Sequence, residues 1–307
     1  MSDSNVSPAP LPVSYRLIGV VSAVAGVLCF SLRPVLIKAA YEDMQDPVTL
    51  IGLRMAVALP FFIAMSLWSA GRGAALTFGQ WWRVVLLGFI GYYLASFLDF
   101  VGLQYVSAGL GRLMLFLYPT LVVLLSAAFL KRPIRARDVI AVALTYGGIA
   151  LVVSHAMDDR PADLLFGASL IFGSALAYAI YLIAGAEMTR KVGSFRFTAY
   201  ATSVACFFCI AQFFVLRPLT ALDLPVRVYG LSLVIGTVCT VIPIFLTAEG
   251  LRRIGATQVS VIGGLGPISA YVLGFLFLGE ALSMYQLGGA ILVVAGVLLV
   301  TLKPGAR

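Results

Sequence analysis

The sequence predicts an all-α integral membrane protein with ten transmembrane helices in two inverted five-helix repeats. Three observations carry that prediction. The 307 residues are 61% hydrophobic and 11% charged, whereas an ordinary soluble domain carries about 25% charged residues. Apolar runs of about 20 residues, each long enough to cross a bilayer, recur along the chain and leave no room for a soluble domain. The chain also matches itself at a constant offset of 148 residues, and an internal repeat of that size makes a structural unit of each half.

Taken in order, residues 1–15 are a polar, Pro/Ser-rich tail. They lack the basic stretch and short apolar core of a cleaved signal. The first repeat, 16–155, holds spans 16–39, 47–69, 81–103, 107–130 and 137–155. The second, 163–302, holds spans 163–185, 196–216, 227–250, 257–278 and 284–302. Five is odd, so the second half enters the membrane from the opposite side. Inverted repeats of this kind mark alternating-access carriers, whose site lies near mid-membrane between the halves.

The repeat is legible residue by residue. LQYVSA at 103–108 matches LRRIGA at 251–256, Pro119 matches Pro267, and Gly19 matches Gly167. FLKRPIRARDVIAVALTYGG at 129–148 matches FLGEALSMYQLGGAILVVAG at 277–296. In spans 5 and 10 the pairs Ala141/Gly148 and Gly289/Gly296 align, and small residues seven apart permit close helix packing within the subunit or across a homodimer.

The net charge of +8 reads as a topology signal. Arg16, Arg72, Arg83, Lys131, Arg132, Arg135, Arg137, Arg190, Lys191, Arg196, Arg252, Arg253, Lys303 and Arg307 fall on one side. The other side carries Lys38, Arg160, Arg217 and Arg227 with the acids Glu42, Asp43, Asp46, Asp158, Asp159, Asp163, Asp223 and Glu280. By the positive-inside rule both termini are cytoplasmic, and in a bacterial cell the setting is the inner membrane. The lipid bilayer is the expected partner, and nucleic acid is not. Cys29, Cys206, Cys209 and Cys239 all lie in apolar runs, so neither a disulfide framework nor a metal site is expected. No cofactor is expected either.

The pattern DPVTLIGLR at 46–54, the Ser107-Ala108-Gly109 entry of span 4 with Pro119, and the FLGEALSMYQLGGAILVVAG segment resemble the EamA family of the drug/metabolite transporter superfamily. The resemblance covers essentially the whole chain. It implies a 5+5 arrangement whose cavity is lined mainly by spans 1, 3, 4, 6, 8 and 9, with spans 5 and 10 peripheral. It leaves the cargo open. One departure is that Lys131-Arg132 stands where the second half carries the family-like Gly279-Glu280.

Four charges lie inside the spans: Arg33, Arg54, Asp99 and Arg112. Helical rise places all four roughly 7 to 11 Å below the outer ends of their helices. Ionised groups at such depth cost roughly 2.5 to 3.5 kcal/mol each on insertion scales and face a partner or a watery cavity. Asp99 and Arg112 are equidistant from the turn at Tyr105 and Val106, which puts them side by side in one hairpin. Their repeat mates, with those of Arg33 and Arg54, are the hydroxyl residues Tyr181, Thr202, Thr247 and Ser260.

Two readings of the cluster stay open. In the first, Arg33 and Arg112 bind a substrate carboxylate or phosphate through their planar donor forks. Tyr178, Tyr181, Tyr92, Ser96 and Asp99 would complete that site. In the second, Asp99 pairs with Arg112, and the arginines donate to the carbonyls of Phe30 and Leu115, freed by Pro34 and Pro119. Arg54 resembles a helix-packing arginine of the family's second span, which implies a structural role for it. Pro34, Pro119, Pro243 and Pro267 mark bendable points.

The chain therefore reads as a secondary transporter of a small organic metabolite, anionic or zwitterionic, working by alternating access. An exporter of amino acids or amphipathic drugs with structural arginines is the alternative, and a channel or receptor is a minor one. An enzyme is not expected, because the sequence has a single histidine and no HExxH or nucleophile motif. No Walker motif points to ATP.

Overall fold

The computed structural model describes residues 13–71, 75–156 and 161–302. The polar tail to residue 12 lies outside the described residues, as do Arg72, Asp158, Asp159, Arg160, Lys303 and Arg307. Among the described residues ten helices are long and apolar enough to cross a membrane: α1 Ser14–Tyr41, α2 Pro47–Ala70, α3 Phe78–Gly102, α4 Ala108–Leu130, α5 Ala136–His155, α6 Ala162–Val192, α7 Ser194–Leu216, α8 Val226–Gly255, α9 Thr257–Leu278 and α10 Met284–Thr301. No strand occurs among the described residues. All ten predicted spans are present.

Short polar residues set the helix starts. Asp46 caps α2 by accepting from the amides of Val48 and Thr49, with Pro47 in the first turn. Ser107 caps α4 through the Leu110 amide at 3.1 Å. Thr77/Gln80 and Ser283/Gln286 form reciprocal capping boxes on α3 and α10. Such caps satisfy amides that the helix itself leaves without acceptors.

The main helix contacts repeat between the two halves. Helix α1 packs on α8 and α9, as α6 packs on α3 and α4; α2 packs on α8, as α7 packs on α3. The pairs α2·α7, α4·α9 and α5·α10 lie across the pseudo-two-fold. Helices α5 and α10 are among the least buried, which fits their expected peripheral place. Their glycines face each other within the subunit: a Cβ on Gly148 would stand 2.7 Å from the Gly289 carbonyl, and the converse distance is also 2.7 Å. The aligned small residues therefore serve the subunit's own packing.

Irregularities repeat as well. A π-helical segment interrupts α3 at Phe89–Leu94 and α8 at Thr237–Val241, positions 148 apart. The helical run of α4 breaks at Phe116 and that of α9 at Gly264, again 148 apart and each just before a proline. Lys131 and Gly279, the departure noted above, are the left-handed caps ending α4 and α9, at φ 51° and 64°. The first half accommodates this backbone with a lysine where glycine meets no Cβ penalty.

Candidate functional site

The buried charges converge along α3. Arg33 Nη2 on α1 donates to Asp99 Oδ2 at 3.0 Å, with side chains 17% and 6% exposed. One turn further along α3, Ser96 Oγ accepts from Arg54 Nη2 at 3.2 Å. The Arg54 guanidinium carbon lies 4.8 Å from the Phe100 ring centroid. Arg54 on α2 is 2% exposed and lies within electrostatic reach of both Arg33 and Asp99.

Arg112 approaches α1 from α4. Its guanidinium carbon is 5.9 Å from the Phe30 ring, and a Cβ on Gly266 of α9 would sit 3.4 Å from its Nη2. Gly266 thus lies within van der Waals range of the guanidinium at the junction of α1, α4 and α9. Ser31 closes the same junction by donating to the Gly266 carbonyl at 3.0 Å. Arg112 has no hydrogen bond or ion pair among the described residues, though Arg33, Asp99, Tyr118 and Tyr178 are within electrostatic reach.

This corrects one expectation. The partner of Asp99 is Arg33, not Arg112 across the hairpin. Equal depth places two residues on one level, but their angular positions on α3 and α4 decide whether they meet, and the long Arg33 side chain reaches Asp99 from α1, which packs on α4, α8 and α9. Of the hydroxyl mates, Thr202 Oγ1 donates within its own helix, to the carbonyls of Thr198 at 2.8 Å and Ala199 at 3.1 Å.

Within this cluster four guanidinium nitrogens are buried without a hydrogen-bond partner among the described residues: Arg33 Nε, Arg54 Nε, Arg54 Nη1 and Arg112 Nε. Buried donors normally find acceptors, and each one left over costs about 1–3 kcal/mol, more for charged groups. The cluster therefore has unspent capacity to hold an anion.

A wall of aromatic rings adjoins the cluster. Tyr118 meets Tyr178 edge-on at 5.2 Å, Tyr178 stacks on Tyr181 at 5.8 Å, and Tyr92 meets Tyr181 edge-on at 5.0 Å. Tyr181 in turn stacks on Phe197 at 5.5 Å. The structure thus brings Tyr92, Tyr178 and Tyr181 together, with Tyr178 in reach of Arg33 and Arg112. Tyr92 lies in the π-helical segment of α3, and such segments are frequent at functional sites. That segment, Phe30 and the close approach of Gly266 have no distinctive sequence signal beyond the Gly266-Pro267 pair.

Pro119 and Pro267 follow the breaks in α4 and α9, and Pro243 follows the π-helical segment of α8. Pro34 lies inside an unbroken α1. Glu249 is paired with Arg252 and Arg253, and Glu187 with Lys191 and Arg83. His155 stacks against Tyr285 at 4.1 Å. No group of three metal-ligating side chains occurs among the described residues.

At the end of the bundle holding the α1–α2, α3–α4, α7–α8 and α9–α10 connections, polar links cross between the halves. Arg217 grips Asp46 with two bonds of 2.7 and 2.8 Å. Arg227 reaches Glu42 and Asp43, each at 2.9 Å. Glu280 accepts from the Ala108 amide at 2.8 Å. Burial would raise the Asp46 carboxyl, but hydrogen bonds from Arg217 and Thr49 and the Arg217 charge outweigh it and hold the group below its usual range. A cavity of about 240 Å³ at this acidic end is lined by Lys38, Tyr41, Glu42, Gln45, Leu103 and Gln104, all from the first half.

Two oppositely oriented five-helix units that meet around buried, incompletely paired charge make this a multi-pass membrane protein built as a transporter. The EamA-like transporter family model matches residues 17–154 and 165–302, one copy per half, and the chain belongs to that family. An uncharacterized transporter of Bacillus subtilis, YcbK, is 29% identical over 94% of this chain and 95% of its own length. Protein PecM of Dickeya dadantii is 26% identical over 72% of this chain and 74% of its own. A solved crystal structure with 19% identity superposes with a TM-score of 0.62, covering 94% of this chain and 98% of that one, and shares the fold.

Proposed function

We propose that the protein is a secondary transporter that moves a small anionic or zwitterionic organic metabolite across the inner membrane by alternating access, with both termini cytoplasmic. The observation that carries this reading is the convergence of Arg33, Arg54 and Arg112 on one carboxylate, Asp99, with four buried guanidinium nitrogens unspent. A carboxylate or phosphate offers the planar acceptors that a guanidinium fork matches. Arg33 and Arg112 hold the anion, and Tyr178, Tyr181 and Tyr92 flank the rest of the molecule.

The charge asymmetry of the loops supports the orientation. In that orientation the acidic end faces outward and is closed by the links Arg217–Asp46, Arg227–Glu42/Asp43 and Glu280–Ala108. Rocking of the halves parts those links. The π-helical segments in α3 and α8 and the breaks in α4 and α9 supply bending points in both halves at equivalent positions.

The alternative, an exporter of amino acids or amphipathic drugs with structural arginines, is favoured by the contacts of Arg54 with Ser96 and Phe100. Counterflow in proteoliposomes tests the proposal. Saturable uptake of labelled substrate against trapped unlabelled substrate is the expected result. Unsaturated, conductive flux would overturn the carrier reading in favour of a channel.

A further inference from the structure

The charges around the anion grip do not balance. Arg33, Arg54 and Arg112 contribute three positive charges, and Asp99 returns one negative charge. The acids of the outer end face other groups: Asp46 pairs with Arg217, Glu42 and Asp43 pair with Arg227, and Glu280, whose Oε2 has no hydrogen-bond partner among the described residues, accepts from the Ala108 amide and lies within electrostatic reach of Lys38. Other polar neighbours of the arginines are neutral: the hydroxyls of Ser96, Tyr118 and Tyr178 and the thiols of Cys206 and Cys209. Two guanidinium charges thus have no counter-charge among the described residues.

Arg54 is what makes the excess two and not one. It is 2% exposed, its Nε and Nη1 have no hydrogen-bond partner, and its contacts are the Ser96 hydroxyl, the Met55 sulfur and the Phe100 ring. Packing alone does not require a charged group there. Removing a charge from water is costly unless an opposite charge answers it. In a low-dielectric interior its field also reaches neighbouring sites with little screening.

We propose that the transported substrate carries two negative charges, as a dicarboxylate or a phosphate monoester does, and that Arg54 sets that number through its field while Arg33 and Arg112 make the contacts. The proposal rests on the anion-grip reading above. Arg54 is accordingly a specificity-determining residue. A monoanion leaves one charge in the occupied site unanswered, and a dianion leaves none.

The test uses small probes matched in shape and differing in charge: sulfate against methyl sulfate, and succinate against monomethyl succinate. Equilibrium binding is measured to purified full-length protein in detergent at pH 7.5. Each dianion should bind wild type at least about tenfold more tightly than its monoanionic mate. Arg54→Gln should remove that preference by weakening dianion binding by about the square of the factor lost by the monoanion, since a charge acts twice as strongly on a dianion. Arg54→Lys, which keeps the charge and loses the fork, should retain it. A structural role for Arg54 would lower both affinities by the same factor in either variant and leave the wild-type ratio intact, and that result would overturn the proposal. Equal binding of the mates by wild type, which needs no variant to fold, would overturn it too while leaving the anion grip standing. Binding of neither class would sink the grip and this inference with it.

Discussion

Asp99→Asn removes the one carboxylate that answers the three buried guanidiniums while preserving shape. The Arg33–Asp99 contact is 3.0 Å, and its two side chains are 17% and 6% exposed. Removing one partner of a buried pair costs about 3–5 kcal/mol, because the other charge is left unanswered. The partial exposure of Arg33 places this case near about 3 kcal/mol. The double variant Arg33→Gln/Asp99→Asn removes both charges and should cost less than Asp99→Asn alone, a coupling of about 2 kcal/mol in a double-mutant cycle. The buried free thiols of Cys206, Cys209 and Cys239 supply the assay, since a thiol-reactive fluorophore reports their exposure on heating in detergent. At about 2 °C per kcal/mol for a chain of this size, Asp99→Asn should melt about 6 °C below wild type. The double variant should recover part of that loss. Melting of Asp99→Asn within about 1 °C of wild type, or a double variant worse than the single, would refute the reasoning.

Other expectations follow from single contacts. Asp46→Ala removes a helix cap worth about 1 kcal/mol and an ion pair whose Arg217 side chain is 38% exposed, so the pair adds less than about 1 kcal/mol. The folded Asp46 carboxyl is depressed, so its stabilising effect is complete above the unfolded value of about 3.9 and fades as pH falls through the folded value. Melting temperatures of wild type and Asp46→Asn should therefore differ by a constant amount from about pH 5 to 8 and converge at lower pH. Gly148→Val drives a side chain into the Gly289 carbonyl and should cost about 1–3 kcal/mol. Gly147→Ala, where an added Cβ meets nothing within 4 Å, should melt no lower than wild type. Reporter tags at either terminus should be cytoplasmic, and a tag reached from outside would reverse the orientation.

The ten spans and the two-fold repeat are legible in the sequence because each span is a run of about 20 apolar residues. The offset of 148 also survives in Pro119/Pro267 and the α5/α10 glycines. The depth of the four charges follows from helical rise alone. The partner of Asp99 is not legible, because depth carries no information about rotation around a helix axis or about which helix lies alongside. The link from α1 to α3 is made by the reach of the Arg33 and Tyr41 side chains and has no local signature. The π-helical segments FIGYYL and TVCTV share no composition that distinguishes them from ordinary helix. Their equivalence appears only when the backbones of the two halves are compared. The Lys131/Gly279 mismatch reads in sequence as a departure between halves, while the backbone reveals two left-handed caps.

The central claim is that both halves enclose one anion site at Arg33 and Arg112. Equilibrium binding of succinate and sulfate to folded Arg112→Gln tests it most directly. The account predicts an affinity at least about tenfold below wild type, with the thiol-exposure melt still cooperative. Unchanged affinity would contradict it and place Arg112 among the structural residues at the Gly266 junction.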